Sequence, residues 1–244
     1  MAVSHRKWYI PSLKDLGTAL CDMIYPARCK VCDRVLAIGD NDYVCQMCLN
    51  SLPRTGYETY HDNPVFQRME GRVVLHSAFS AYFYRRGERL RQIVLAFKYY
   101  NRDDLAVLMG QRMGTIMKKS NWHADYDVIV PVPLHPKKLK TRRYNQAQKI
   151  AEGIASVTGL TVRDDILSRV IEGDTQTKKT DVDRWLDIQH MYLCENPERF
   201  SGLRILLVDD VMTTGATIEV CVNALQKIPG VVVGMATLAC VVRR

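Results

Sequence analysis

Apolar and polar positions along the chain change character near residue 76. Ahead of that point, Leu13, Leu16, Leu20, Met23 and Ile24 fall near a helical period, which predicts a short amphipathic helix over 11–25 that Pro26 stops. Residues 26–54 hold too few apolar positions for a core of their own. Residues 55–75, with Gly56, Pro64 and Gly71 set among mixed charges, read as a linker.

Beyond residue 76 the pattern becomes that of a folded core. Residues 76–84 (HSAFSAYFY) predict a strand. Residues 87–100 place Leu90, Ile93, Val94 and Phe97 on one helical face, and 103–118 do the same with Leu105, Leu108, Met109, Met113, Ile116 and Met117. The run Val128-Ile129-Val130, followed by Pro131 and Pro133, has the look of a buried parallel strand. A basic loop then leads to a helix over 145–157. Ile205-Leu206-Leu207-Val208 predicts a second buried strand, 215–227 a helix, and Val231 to Val242 a last strand. Strands alternating with helices imply an α/β domain over 76–244: a mostly parallel sheet flanked by helices, with right-handed crossovers. Such sheets bind ligands at the carboxyl ends of their strands. The segments ahead divide into an N-terminal helix (1–25), a cysteine module (26–54) and the linker (55–75).

Length and composition agree with this division. The 244 residues suffice for one sizeable α/β core and a small appendage. No apolar run approaches the ~18–20 residues of a membrane span. The opening MAVSHRKWYI has no apolar stretch followed by a small-residue cleavage site, so the expectation is a cytoplasmic protein without a signal peptide. The net charge of +8 suits polyanionic partners, either nucleic acid or polyphosphate metabolites, and is equally that of a solvated basic surface.

The richest chemistry lies at Ile205-Leu206-Leu207-Val208-Asp209-Asp210-Val211-Met212-Thr213-Thr214-Gly215-Ala216-Thr217. Two carboxylates follow a buried strand, where burial is costly without a polar partner. Thr213, Thr214 and Gly215 then open a helix, whose free N–H groups and partial positive charge suit a phosphate. Gly215 lets the backbone approach a ligand closely. The carboxylates suit ribose hydroxyls or a magnesium ion held by few protein ligands. A strand with an acidic turn and a Thr cap is the plain structural alternative. The whole stretch resembles the phosphoribosylpyrophosphate (PRPP) motif of type I phosphoribosyltransferases. That resemblance implies that Asp209 and Asp210 bind the ribose 2- and 3-hydroxyls. It also implies that the loop of Val211, Thr213, Thr214, Gly215, Ala216 and Thr217 holds the 5-phosphate. No GxxxxGKS or GxGxxG is present, which counts against nucleoside triphosphate and dinucleotide sites.

Four of the eight cysteines form Cys29-x2-Cys32-x12-Cys45-x2-Cys48. Each CxxC can present two thiolates to one metal, and the intervening loop is long enough to fold the second pair back. A closed four-thiolate site suits structural zinc, ahead of an iron–sulfur cluster or redox dithiols, and its folding energy serves a segment without a core. Cys21, Cys194, Cys221 and Cys240 read as small buried hydrophobes.

Further places extend the likeness. Phe97-Lys98-Tyr99, Pro131-Val132-Pro133, Arg142-Arg143-Tyr144-Asn145-Gln146, and Gln176 with Arg184 downstream occur in this order beside the CxxC pairs. Together they resemble the ComF family, whose members take part in DNA uptake during bacterial competence. The chain departs from the family pattern at Arg143 and Asn101, where glycines are expected, and at Lys179, where a leucine is expected. The resemblance implies a type I phosphoribosyltransferase-like domain with an N-terminal zinc ribbon. It also implies a PRPP ligand with magnesium and a role in natural transformation.

The remaining candidates stay open between readings. Lys137-Lys138-Leu139-Lys140-Thr141-Arg142-Arg143 could close over a pyrophosphate, track a single-stranded DNA backbone, or be a solvated charge run. Lys98 could contact phosphate or snorkel from an apolar face. Asn145 and Gln146 could read a base or orient the loop, and Asn145 could instead cap the next helix. As an enzyme, the protein would pass ribose 5-phosphate to an unknown acceptor through Asp209, Asp210, Lys98 and Arg142. As a binding protein, it would sense PRPP or hold single-stranded DNA, with the zinc ribbon docking a translocating helicase.

Overall fold

The computed structural model describes residues 25–85, 87–170 and 191–241. Nearly all of the expected N-terminal helix, Cys21, and the positions Gln176, Lys179 and Arg184 lie outside the described residues. The chain divides into two compact units, with the boundary between Leu52 and Pro53.

The first unit is organised around its cysteines. A short antiparallel bridge between Arg28 and Val35 closes the first CxxC turn, where Asp33 takes a left-handed conformation (φ 59°). The second pair sits at the start of helix α1 (Gln46–Asn50), with Cys45 at its N-cap and Cys48 inside it. Asp40 ties the intervening loop to that helix: its carboxylate oxygens accept from Ala37 N and Gln46 N, both at 2.8 Å. These bonds hold the Asp40 carboxyl below the usual range. Apart from the cysteines, the buried apolar residues here are Val44, Leu49 and Leu52.

The second unit is a five-stranded parallel sheet. Its strands are β1 (Ala78–Tyr84), β2 (Val128–Pro131), β3 (Thr161–Val162), β6 (Arg204–Met212) and β7 (Val232–Val241), in the order β1-β7-β6-β2-β3. Two further short strands, β4 (Ser168–Arg169) and β5 (Tyr192–Leu193), form an antiparallel pair. Strands β1, β2, β6 and β7 lie in or near the expected segments, whereas the two-residue strands β3, β4 and β5 fall where none was expected, and β6 runs further than its apolar run. It continues through Asp209 and Asp210 to Met212, because its backbone stays paired with β7 up to Met212↔Cys240. The acidic pair therefore belongs to the end of a strand and not to a turn.

Helices α3 (Arg89–Tyr99), α4 (Asp103–Lys119), α6 (Gln146–Thr158) and α7 (Ala216–Leu225) form where helical periodicity places them. Helices α4 and α6 cross at glycines. A Cβ on Gly110 would lie 2.1 Å from the Ile150 carbonyl oxygen, and one on Gly153 would lie 2.2 Å from that of Val107. This close crossing fixes α6, whose first turn lines the cleft described below.

Two segments differ from the sequence reading. The basic loop is helix α5 (Pro136–Arg142): Pro136 takes N1, and His135 Nδ1 accepts from Lys137 N at 3.0 Å. The stretch read as a linker contains a 3-10 turn (Tyr57–Thr59) and helix α2 (Pro64–Met69). Val65 and Met69 of α2 are buried in the same core as β6 and α7. Among the described residues, no helix is long and apolar enough to cross a membrane.

Candidate functional site

A cleft of about 190 Å³ opens at the carboxyl ends of β2 and β6. Its lining includes Lys98, Arg142, Asn145, Gln146, Asp209, Asp210, Val211 and Thr217. Residues from three separate stretches of sequence thus converge on one space. Lys138, Arg169 and Tyr192 join them, together with Val132, Pro133 and Leu134 of the turn after β2.

Each side chain arrives by a traceable route. Lys98 lies in the last turn of α3, at the edge of the face that buries Leu90, Ile93, Val94 and Phe97, so its long side chain can carry the ammonium clear of the core. There it pairs with Asp210, Nζ to Oδ2 at 2.7 Å, with both side chains mostly shielded from solvent. Asn145 is the N-cap of α6: its Oδ1 accepts from Ala147 N (3.1 Å) while its Nδ2 donates to Val132 O (2.9 Å). One side chain therefore caps the helix and fastens it to the turn after β2. Arg142 donates to Gln146 Oε1 at 2.9 Å, and its guanidinium lies 5.4 Å from the centre of the Tyr99 ring. Tyr144 donates to the Phe97 carbonyl, which ties this region back to α3.

Asn101 and Arg143, the two positions within the described residues where the sequence reading expected glycine, both fall at left-handed backbone, with φ 54° and φ 68°. Glycine takes this conformation without strain, asparagine tolerates it, and arginine bears a steric cost.

The acidic pair divides its work. Asp210 has a cation. Asp209 is pushed up to about 7, first by burial and then by the charge of Asp210. The Asp210 N–H, Lys98 and Arg142 pull the other way. The Asp209 carboxylate accepts the Asp210 N–H at 2.8 Å, and the Asp210 carboxylate accepts that of Val211 at 2.5 Å. A half-buried acid pushed up toward neutrality beside a paired one is a site in which a hydroxyl or cation-bearing ligand relieves a standing cost.

Within the loop after β6, Val211 and Thr217 line the cleft, whereas Thr213, Thr214, Gly215 and Ala216 lie between them outside its lining. Thr213, Thr214 and Ala216 are exposed; Gly215 is buried, has φ +85°, and is the N-cap of α7.

Sequence reasoning missed Arg169 and Tyr192. The β4–β5 pair carries both, and Arg169 stacks on Tyr192 (5.2 Å to the ring centre) while donating to its hydroxyl at 3.1 Å. Arg169 Nε is buried without a partner among the described residues. The available signal was an arginine inside an otherwise apolar run, Ile166-Leu167-Ser168-Arg169-Val170.

In the first unit, the sulfur atoms of Cys29, Cys32, Cys45 and Cys48 all lie within 4.8 Å of one another. Cys29 and Cys48 are 3.9 Å apart, and Cys32 and Cys45 are 3.7 Å apart. Four thiolates at the zinc–sulfur bond length of ~2.3 Å are about 3.8 Å apart around a tetrahedron. Both of these pairs match that spacing, and the four sulfur atoms are close enough together to hold one such ion. Burial alone would raise the Cys29 thiol, but backbone N–H groups from Cys45, Val31 and Cys32 bring it down to about 7.

No protein-family model and no curated protein matches the chain. Similar solved structures include one described as the allosteric regulatory enzyme of purine biosynthesis. Another is the glutamine phosphoribosylpyrophosphate (PRPP) amidotransferase from B. subtilis, complexed with ADP and GMP. Each is 18% identical over 58% of this chain, with a TM-score of 0.41. The match spans 29% of the first and 30% of the second, so this chain covers less than a third of either.

Proposed function

We propose that the second unit is a phosphoribosyltransferase-like domain whose cleft binds PRPP with magnesium. The observation that supports this best is the convergence of Asp209, Asp210, Lys98 and Arg142 on one cleft at the carboxyl edge of a parallel sheet, beside the Thr/Gly loop. On this reading Asp209 and Asp210 receive the ribose hydroxyls, residues 213–217 the 5-phosphate, and Lys98 and Arg142 the pyrophosphate. Asn145 and Gln146 hold Arg142 and the turn after β2 in register. Magnesium, bound with the donor, neutralises pyrophosphate charge.

Transfer breaks the bond between C1 of the ribose and the pyrophosphate oxygen, which leaves with the electron pair. An acceptor nucleophile forms the new bond at C1. Positive charge develops on the sugar ring beside two carboxylates, and negative charge on the leaving group beside two cations. Catalysis then rests on positioning and electrostatics. The four-cysteine module holds structural zinc through Cys29, Cys32, Cys45 and Cys48. As the ComF resemblance implies, the protein serves DNA uptake and natural transformation.

A second reading has its own support. Helix α5 exposes Lys137, Lys138 and Lys140 near Arg142, and Tyr99 and Tyr100 are 60% and 66% exposed. Cations interleaved with accessible rings suit single-stranded DNA. The protein is then a non-catalytic PRPP sensor or DNA-binding competence protein. Exposed Val35, Ile38 and Met47 of the cysteine module would dock a translocation helicase.

Calorimetry with PRPP and magnesium tests the first reading. Micromolar binding by the wild type, lost at least about 100-fold (about 2.7 kcal/mol) in Asp209→Asn/Asp210→Asn, supports it. Equal affinity in the two proteins refutes the site assignment. Salt-sensitive retention of a short single strand by the double variant favours the second reading.

A further inference from the structure

The segment ahead of the first core strand has a job at the phosphate loop. Asn63 fixes it: Oδ1 caps α2 by accepting from Val65 N (3.0 Å) and Phe66 N (3.1 Å), and Nδ2 donates to Ala78 O of β1 at 2.6 Å. Val65 and Met69 anchor the helix in the core. From this base two guanidinium groups reach the loop after β6. Arg68 Nη1 donates to Thr213 O at 3.2 Å and to Val241 O at 3.0 Å. Arg72 Nη1 donates to Thr214 O at 2.7 Å, and Arg72 Nε donates to Glu219 Oε2 at 3.0 Å. Arg72 Nη2 closes a second bond to the same carboxylate. Gly215 packs against this base so tightly that a Cβ would lie 2.7 Å from Met69 Sδ.

We propose that Arg68 and Arg72 are positioning residues for the phosphate loop, and that the Arg72–Glu219 pair sets its charge. Two physical arguments carry this. In a trans peptide the carbonyl and the following N–H point in opposite directions. Holding the Thr213 and Thr214 carbonyls against the clamp therefore turns the N–H groups of Thr214 and Gly215 to the other side, where they can serve an anion. Glu219 lies in the first turn of α7. A free carboxylate there would oppose an anion at the same helix end, and Arg72 neutralises it.

The proposal rests on residues 213–217 being the 5-phosphate loop, and its test separates the two. Ribose 5-phosphate and inorganic pyrophosphate are titrated separately into the full-length protein and its variants, with thermal midpoints recorded alongside. Arg72→Ala is expected to weaken ribose 5-phosphate about tenfold or more while pyrophosphate changes by less than about twofold. Adding Glu219→Gln to Arg72→Ala should recover several-fold, a coupling that a purely structural role would not produce. Glu219→Gln alone, which leaves both arginines in place, should bind at least as tightly as the wild type. Unchanged ribose 5-phosphate affinity in Arg72→Ala, or equal loss of both ligands, overturns the clamp. A wild type that binds pyrophosphate but not ribose 5-phosphate overturns the loop assignment itself, and the clamp with it.

Discussion

The two units of this chain hold their shape by different means. The larger one buries Ile205, Leu206, Leu207 and Val208 completely, together with Ile129, Val130, Met235 and Ala236 of neighbouring strands. Burial on that scale tolerates an expensive feature at its edge, the half-buried Asp209 beside Asp210. Among its described residues the smaller unit buries, besides cysteines, Val44, Leu49 and Leu52, and three of the four clustered cysteines are themselves core residues. In the larger unit the site is added to a fold that stands without it. In the smaller, three of the four candidate metal ligands, Cys29, Cys45 and Cys48, are also part of the core.

The sharpest way to break that comparison is to deny the four cysteines the zinc proposed for them. Chelation, or Cys29→Ser with Cys45→Ser, should unfold the first unit, since a structural zinc contributes on the order of 10 kcal/mol to so small a module. Hydrogen exchange should rise to unprotected rates over 25–52 while the sheet of the second unit stays protected. Loss of protection throughout β6 and β7 would contradict the division.

The next effect runs the other way. Asp209 is raised to about 7 in the folded chain, against about 3.8 when free. Between these values the folded state binds more protons than the unfolded one, so stability falls as pH rises from about 4 to about 7. Asp209→Asn removes that cost. It should raise the thermal midpoint at pH 8, by roughly 2–4 °C for each kcal/mol relieved, and leave it nearly unchanged at pH 4. A lower midpoint at pH 8 would mean that the charge is already compensated.

The smallest effect belongs to backbone strain. Arg143 caps α5 at φ 68°, its N–H donating to Leu139 O at 2.7 Å. Arg143→Gly should stabilise by up to about 1 kcal/mol in denaturant titration, because glycine takes left-handed backbone freely. Destabilisation would show that the side chain contributes more than the strain costs.

What could be read from sequence follows the same physical line. The strands and long helices were legible because each buries an apolar face, and periodicity records burial. The acidic pair stood out in the sequence as a costly feature after an apolar run, yet its place inside β6 did not. Charges end an apolar run while the backbone ladder to β7 continues past them. Helix α5 was hidden because it has no buried face; only His135-Pro136 marked its start. The clamp residues were hidden inside a stretch that Gly56, Pro64 and Gly71 make look like a linker, although Asn63-Pro64 is a cap followed by an N1 proline, and Val65 and Met69 are one helical turn apart. Arg169 and Tyr192 reach the cleft on a strand pair too short to leave a pattern.

The most direct measurement is diffraction from crystals grown with PRPP and magnesium. The account predicts the 5-phosphate at residues 213–217, the ribose hydroxyls on Asp209 and Asp210, and the pyrophosphate facing Lys98 and Arg142. PRPP found outside this cleft, or seated in it with its phosphates on the opposite ends, would contradict that account.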